Sequence, residues 1–318
     1  MFAGGILVVL LGLAKVGGLS GLMEAITSKG QGYQSYFDLI QPADTDTPFP
    51  WTGILFGLTF VMANAYMIGN QAIVQRCLAA KSEWHAKASM IWGAFLKMLI
   101  PWMVMFPGMI AIILYPNLAD GDQAFPLLVR ELLPAGCGLI GLMFAALFAG
   151  LMSSIDSMMN STATLWTKDI YEKYIKKDAS DRHYLLVGRI ATIVILLFGV
   201  LTSPISGYFE GIYVAVQTFL SVFQGPTFAV LFLGIFWRRG TPLGGLVGYI
   251  SGVTVSVTLY ALKGYLFTID DPFLYVSWWS FLAGLIVTIV VSLFTEPQPQ
   301  ERLYGLVYRL AEKEPSVT

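Results

Sequence analysis

The sequence has few charged residues, few histidines and few cysteines. Charged side chains make up 12% of the 318 residues, and there are two histidines and two cysteines. Soluble domains carry about 25% charged residues, so this composition excludes an ordinary soluble domain. The net charge of −1 offers no electrostatic basis for binding nucleic acid. Cys77 and Cys137 are too few for a disulfide framework or a cysteine metal site.

Hydrophobic residues, in contrast, make up 56% of the chain and form long apolar runs. Eight runs are long enough to cross a bilayer: 2–23, 51–75, 86–115, 136–165, 184–204, 210–237, 241–264 and 274–295. Backbone polar groups in lipid must be paired within their own segment, so each run is predicted to be a helix. The predicted fold class is an all-α polytopic membrane protein with about eight transmembrane helices.

The basic residues are unevenly divided between the two sets of loops. One set, with the C-terminal segment, contains most of the 19 Lys and Arg residues: Arg76, Lys81, Lys87, Lys168, Lys173, Lys176, Lys177, Arg182, Arg189, Arg238, Arg239, Arg302, Arg309 and Lys313. The other set contains only Lys29, Arg130 and Lys263. The positive-inside rule therefore predicts a multi-pass cell-membrane protein whose richer set of loops and C-terminal tail are cytoplasmic.

Proline residues predict irregularities in two of the spans. Pro101 and Pro107 lie in the third span, and Gly225-Pro226 is expected to interrupt the sixth. Proline removes a backbone donor and frees a carbonyl group. Such breaks line a cavity in some membrane proteins and are packing kinks in others, and the sequence leaves both interpretations open.

The fourth predicted helix carries polar residues in "GLMSSIDSMMNSTATLWTKDIY", residues 150–171. At about 100° per residue they form one stripe: Gly150, Ser153, Ser154, Ser157, Asn160, Ser161 and Thr164, with Asp156 at its edge. Such small residues also let helices pack closely, and serine hydroxyls bond back to their own helix. An intramembrane carboxylate is costly, however, and marks a functional candidate. Carboxylate, hydroxyl and carbonyl oxygens together suit a hard cation.

The serines of this helix are poor candidates for nucleophiles. A serine nucleophile needs a base within hydrogen-bonding reach, and the two histidines, His85 and His183, lie near predicted cytoplasmic helix ends. The sequence also contains no nucleotide-binding loop. An intramembrane hydrolase is therefore disfavoured, and the chain is not predicted to be an enzyme.

Five segments of the sequence together resemble those of a known family. They are "LMSSIDSMMNSTATLWTKDIY", "PWTGILFGLTFVMANAYMIGNQAIVQRCLAAKSEWHAKASMIWGAFLKML", "FPGMIAIILYP", "GPTFAVLFLGIFWRRGTPLGGLVG" and "TEPQPQERLYGLVYRL". Together they resemble the sodium:solute symporters, especially the sodium/glucose cotransporter branch, over nearly the whole chain. The resemblance implies a leucine-transporter-like inverted-repeat fold. Core helices five to ten would lie in 1–237, two accessory transmembrane helices in 238–295 and a cytoplasmic tail in 296–318. Core helices one to four would be absent, so the chain resembles the C-terminal portion of a longer symporter.

The resemblance also implies a sodium site, position by position. The backbone carbonyl of Gly150 and the hydroxyls of Ser153 and Ser154 match the main sodium ligands of the family. Asp156 and Ser157 match the region of a second sodium position that some members have. Sodium is therefore the expected coupling ion, and no other cofactor is expected.

For the solute, the resemblance to the sugar branch implies Tyr66 as a gate and Lys97 and Gln217 as sugar contacts. A sugar-contacting asparagine of that branch is replaced here by Ala63, with Asn64 beside it, so the exact substrate stays open. Lys97 is able to extend toward the membrane interface instead. It lies ten residues after Lys87, about 15 Å along a helix, and this depth favours a functional role.

The predicted function is sodium-coupled symport of a sugar or sugar-like solute by alternating access. Its partners would be that small molecule, sodium and the lipid bilayer. Three alternatives remain: symport of a carboxylate, amino acid or sialic-acid-like solute, a transport-inactive truncated segment, and a membrane anchor for a sensor. The oligomeric state and the sodium stoichiometry are open.

Overall fold

The structure is a computed structural model that describes residues 2–30, 33, 35–38, 40–45, 47–209 and 211–308. The regular elements in these ranges are helices. The chain divides into two compact units: unit 1 comprises Met1–Phe37 and Gln75–Ile212, and unit 2 comprises Asp38–Val74 and Tyr213–Thr318. The end of the predicted cytoplasmic tail, including Arg309 and Lys313, lies outside the described residues.

Twelve longer helices organise the described part of the chain. They are α1 (Phe2–Lys15), α2 (Gly18–Thr27), α3 (Gly53–Gly69), α4 (Gln71–Leu78), α5 (Glu83–Lys97), α6 (Ile100–Leu114), α7 (Ala124–Leu132), α8 (Leu139–Leu165), α9 (Asp181–Thr202), α10 (Ile212–Phe236), α11 (Pro242–Ala261) and α12 (Phe273–Phe294). Short helical turns extend or connect them, and one of these, Trp166–Ile175, continues α8 with wider, π-type turns.

Six helical stretches of the described residues are long and apolar enough to cross a membrane, and two bent pairs raise the number to eight if each pair is one span. The first and second predicted runs are therefore not single straight helices. α1 and α2 meet at 68°, and α3 and α4 meet at 56°. Gly17, with φ of 86°, lies in the first bend. In the second bend, the backbone of Asn70 is extended, and its Oδ1 accepts a hydrogen bond from the N–H of Ala72 at 2.9 Å.

The expected interruption of the sixth span at Gly225-Pro226 is wrong, because α10 continues through both residues. Both residues are buried, and a Cβ at Gly225 would clash with Ser280 Oγ of α12. This pair therefore permits close helix packing. Pro107 likewise lies inside α6, and Pro101 lies in the first turn of α6, where a missing N–H is tolerated.

Unit 2 is organised around the pairing of α11 with α12. Gly244, Gly248 and Gly252 recur every four residues along α11, so they lie on one face of the helix. A Cβ at Gly244 or Gly248 would clash with side chains of α12, and one at Gly252 would crowd Pro226 of α10. α3 packs in the same unit through a hydrophobic cluster: Val61, Ala65, Phe228, Ala229 and Phe281.

Unit 1 contains a hydrophobic core contributed by α1, α2, α6, α7 and α8. Its buried members include Val8, Leu22, Ile110, Leu128 and Met143. The two longest helices of the unit are far less covered. In the span that contains α8, only 6% of the most apolar 18-residue stretch is buried. The buried share of the corresponding stretch in the span of α9 is also 6%. The polar stripe of α8 therefore lies on a helix with little surrounding protein in unit 1.

Candidate cation and solute sites

The candidate cation site lies on α8 in unit 1. This helix starts after Gly138, whose left-handed φ of 77° suits glycine, and it runs without a break to Leu165. Gly150, Ser153 and Ser154 are therefore spaced i, i+3 and i+4, on one side of the same helix. Beside the stripe, Leu151 and Met158 are 59% and 57% exposed. The polar stripe and the exposed apolar residues beside it thus agree with the predicted helical pattern.

Three hydroxyls of the stripe bond back to carbonyls of the same helix, and two of them lie at the matched cation positions. Ser154 Oγ donates to the carbonyl of Gly150 at 3.1 Å, and Ser157 Oγ donates to the carbonyl of Ser153 at 3.0 Å. A carbonyl oxygen has two lone pairs, and a hydroxyl that donates its proton still has lone pairs to offer. These bonds orient the oxygens and leave them able to coordinate a cation.

Ser153 and Asp156 offer oxygens with no competing partner. Within the described residues, neither the Ser153 hydroxyl nor the Asp156 carboxylate makes a hydrogen bond or an ion pair, and both side chains are exposed. No group of three or more His, Cys, Asp or Glu side chains in that part of the chain is arranged to hold a metal ion. The available ligands are mainly neutral oxygens, which fit a hard, weakly held monovalent cation.

Arg76 approaches the same helix and was not among the predicted site residues. Its Nη2 donates to Ser157 Oγ at 3.5 Å, so a fixed positive charge lies beside the residue matched to the second sodium position. The two residues are 81 positions apart in the chain, and no local pattern connects them. The available signal was only that a lone arginine follows an apolar span in "NQAIVQR".

Tyr66 and Asn64 lie on α3 in unit 2, shortly before the bend at Asn70. The side-chain amide of Asn64 donates to the carbonyls of Phe60 and Thr59 at 2.8 and 3.1 Å. The first part of α3 has π-type turns, and these bonds satisfy carbonyls near its end. Tyr66 is 37% exposed, and its hydroxyl has no hydrogen-bond partner within the described ranges.

Gln217 lies near the start of α10, also in unit 2. Its Nε2 donates to the hydroxyl of Tyr213 at 3.0 Å, which orients the side-chain amide. α3 and α10 belong to one packed cluster, so Tyr66, Asn64 and Gln217 are carried by neighbouring helices of a single unit. No hydrogen bond joins these three side chains to one another in the described part of the chain.

Lys97 belongs to unit 1 and ends α5, next to the short interruption at Met98 and Leu99. It lies near the middle of the 32-residue span Glu83–Leu114. The side chain is exposed, and its ammonium group forms no ion pair or hydrogen bond among the described residues. A lysine near the middle of a span is costly unless it is paired.

The sequence of residues 1–252 matches the pattern of the Sodium:solute symporter family. The sodium/glucose cotransporter of Vibrio parahaemolyticus is 31% identical over 92% of this chain and 56% of the relative. The sodium/myo-inositol cotransporter 2 of Homo sapiens is 32% identical over 93% of this chain and 49% of the relative. The chain thus spans about half the length of the curated relatives it matches.

The fold is similar to that of a Na+-coupled sialic acid symporter solved in a substrate-bound outward-open state. The match has a TM-score of 0.72 and 24% identity, and it covers 94% of this chain and 61% of that chain. The prediction of an all-helical, leucine-transporter-like fold is confirmed by this similarity. The family consists of transporters and not of enzymes. The family pattern, the relatives and the fold agree, and the chain belongs to the sodium:solute symporter family.

Proposed function

We propose that this chain forms part of a transporter that couples sodium entry to uptake of a sugar or sugar-like polyol by alternating access. The observation that carries the proposal is the stripe of α8, where three oxygens suited to a cation lie on one side of an apolar helix. The relatives named for glucose and for myo-inositol support a neutral, polyhydroxylated solute. Sodium entry would supply about 2.3 kcal/mol per charge for each 100 mV of membrane potential.

In this proposal α8 contributes part of the main sodium site. The ligands are the carbonyl of Gly150 and the hydroxyls of Ser153 and Ser154, with Asp156 and Ser157 at a second position. Hard cations such as Ca2+ and Mg2+ take about six or more oxygen ligands, so three oxygens from α8 leave several to come from other helices. The exposed surface of α8 around the stripe leaves room for them.

Solute binding is assigned to Tyr66, Lys97, Gln217 and Asn64. A polyol needs both donors and acceptors, and hydroxyl, ammonium and amide groups supply them. The phenol of Tyr66 and the ammonium of Lys97 are exposed groups without partners in the described part of the chain, which makes them available to a ligand. Tyr66 also lies within one or two turns of the bend at Asn70, a suitable position for a gate.

A second candidate substrate class is a carboxylate such as a sialic-acid-like solute. The unpaired ammonium of Lys97 near the middle of its span favours this class, since a charge-assisted contact of an ammonium with a carboxylate is stronger than one with a neutral hydroxyl. The structurally similar symporter is named for sialic acid. The two classes are distinguished by the charge of the solute that is transported.

For the membrane arrangement, we infer that the protein lies in the cell membrane with the loops around Lys87, Lys176 and Arg238 on the cytoplasmic side. The uneven distribution of basic residues supports this orientation. We further propose that residues 1–237 form the transport core, 238–295 two accessory helices and 296–318 a cytoplasmic tail.

The proposal is tested by uptake into proteoliposomes that contain the transporter of which this chain is a part. Uptake of labelled glucose, myo-inositol and sialic acid is measured with and without a sodium gradient. Tyr66→Ala, Lys97→Ala and Gln217→Ala should each reduce sugar uptake strongly at unchanged protein abundance. Lys176→Ala, which changes an exposed lysine of a loop, is the matched control for Lys97. Full sugar uptake in all three variants would exclude the sugar assignment, and uptake of sialic acid alone would favour the second class.

A further inference from the structure

A cavity with several polar lining residues lies between the end of α8 and the start of α9 in unit 1. Its volume is about 480 Å³. It is lined by residues from the end of α8, from the wider turns after it and from the first turns of α9: Asn160, Thr167, Lys168, Asp181, Arg189 and Thr192. None of these is among the residues assigned above to sodium or solute. The cavity therefore needs its own explanation.

Two cations line this cavity. Arg189 is exposed and makes no ion pair or hydrogen bond within the described part of the chain. Lys168 pairs with Glu172 at 2.8 Å, and its ammonium lies 5.2 Å from the ring centre of Tyr184. Asp181 is the one carboxylate in the lining. Arg189 therefore remains unpaired, with its full set of donors available, and Asp181 is the only negative charge that shares the lining with it.

A buried hydroxyl in the same lining also lacks a partner. Thr167 is 5% exposed, and its Oγ1 has no hydrogen bond among the described residues. This atom faces α9, because a Cβ built on Gly188 would lie 3.6 Å from it. A buried hydroxyl without a partner costs about 1–3 kcal/mol. The atom has almost no accessible surface, so a ligand oxygen would remove that cost only by entering between Thr167 and α9.

The cavity lies where both helices change from apolar to polar sequence. In the α8 helix, the apolar segment ends at Leu165 and is followed by "WTKDIYEKYI". In α9, Arg189 directly precedes the apolar stretch "IATIVILLFGVLT". Such a boundary is the depth of phospholipid headgroups in a bilayer. The apolar residues after Arg189, such as Ile190 and Ile193, are exposed and able to contact acyl chains.

We propose that this cavity binds the phosphate group of an anionic phospholipid, with Arg189 and Thr167 as its main contacts. The guanidinium of arginine matches two phosphate oxygens, and the threonine hydroxyl donates to a third. Basic pockets between transmembrane helices on the cytoplasmic side are typical sites for anionic headgroups. The other basic residues of this segment add a general attraction for an anionic membrane surface: Lys173, Lys176, Lys177 and Arg182.

The test is native mass spectrometry of the protein with equal amounts of phosphatidylglycerol and phosphatidylcholine. The wild-type protein should retain phosphatidylglycerol preferentially. Arg189→Ala should weaken retention at least about ten-fold, the effect expected when a charge-assisted contact to phosphate is lost, and clearly more than the loss of one general surface cation. Thr167→Val keeps the shape of the side chain and should also weaken it. Arg182→Ala is the matched control, because it removes an exposed arginine of the same helix that does not line the cavity.

Each result supports or overturns the assignment. Equal losses in Arg182→Ala and Arg189→Ala would indicate unspecific charge attraction, and equal retention of the two lipids would exclude a phosphate site selective for anionic lipid. Displacement of phosphatidylglycerol by millimolar inorganic phosphate would show that the site takes phosphate from solution and would overturn the lipid assignment. Circular dichroism of each variant checks that the helices are retained. Sodium dependence of uptake is a separate readout, so the test does not depend on the proposed transport function.

Discussion

Ser154 offers the sharpest test of the cation site, because one substitution removes one proposed ligand and one defined hydrogen bond. In Ser154→Ala the hydroxyl that donates to the Gly150 carbonyl at 3.1 Å is lost. The side chain is exposed on α8, so the free energy of unfolding should change by no more than about 0.5 kcal/mol. Protein abundance should therefore stay near that of the wild type.

The expected effect on sodium is much larger than the effect on stability. A polar contact to a charged group contributes about 1.5–3 kcal/mol. Losing one oxygen ligand should then raise the sodium concentration for half-maximal uptake about 10- to 150-fold. The same reasoning applies to Ser153→Ala, whose hydroxyl is not engaged elsewhere in the described part of the chain.

Thr162→Ala is the matched control for this experiment. Thr162 Oγ1 donates to the carbonyl of Met158 at 2.9 Å, which is the same back-bond on the opposite face of α8. The assay is sodium-dependent solute uptake in proteoliposomes at several sodium concentrations, with the transporter that contains this chain. Thr162→Ala should leave the sodium dependence unchanged. If Ser153→Ala and Ser154→Ala behave like Thr162→Ala, the stripe serves helix packing, and the reasoning about ligands is refuted.

Three further predictions concern stability, orientation and the ligand set. Gly248→Ala should destabilise the protein by about 1–3 kcal/mol in thermal unfolding, because the added methyl clashes with Thr288 of α12. Gly234→Ala, with open space around it, should be neutral or stabilising. Equal effects of the two substitutions would contradict the tight packing of α11 on α12. A cysteine introduced at position 176 should react with an impermeant thiol reagent only after the membrane is opened, and reaction in intact cells would reverse the orientation. Residues 1–318 alone should not drive sodium-dependent uptake, because α8 supplies only about half of the oxygens that hard cations usually take. Uptake by this chain alone would show that it assembles a complete site and would contradict the prediction.

The sequence determined the helical membrane class and the polar face of α8. Apolar runs of about 20 residues admit only helices in lipid, since every backbone polar group must be paired locally. The stripe from Gly150 to Thr164 follows from the helical repeat alone. Both properties depend on neighbours in the chain, and both agree with the structure.

Only the tertiary structure decided where the helices bend and which distant residues meet. The bends fall at Gly17 and Asn70 and not at Gly225-Pro226, because Pro226 lies in a tightly packed part of α10 that holds the helix continuous. The contact of Arg76 with Ser157 joins residues 81 positions apart. The cavity that contains Thr167 and Arg189 likewise depends on how α8 and α9 pack. Such contacts depend on the free energy of packing between helices that are distant in the chain. The local periodicity of a sequence does not reveal which helices pack together.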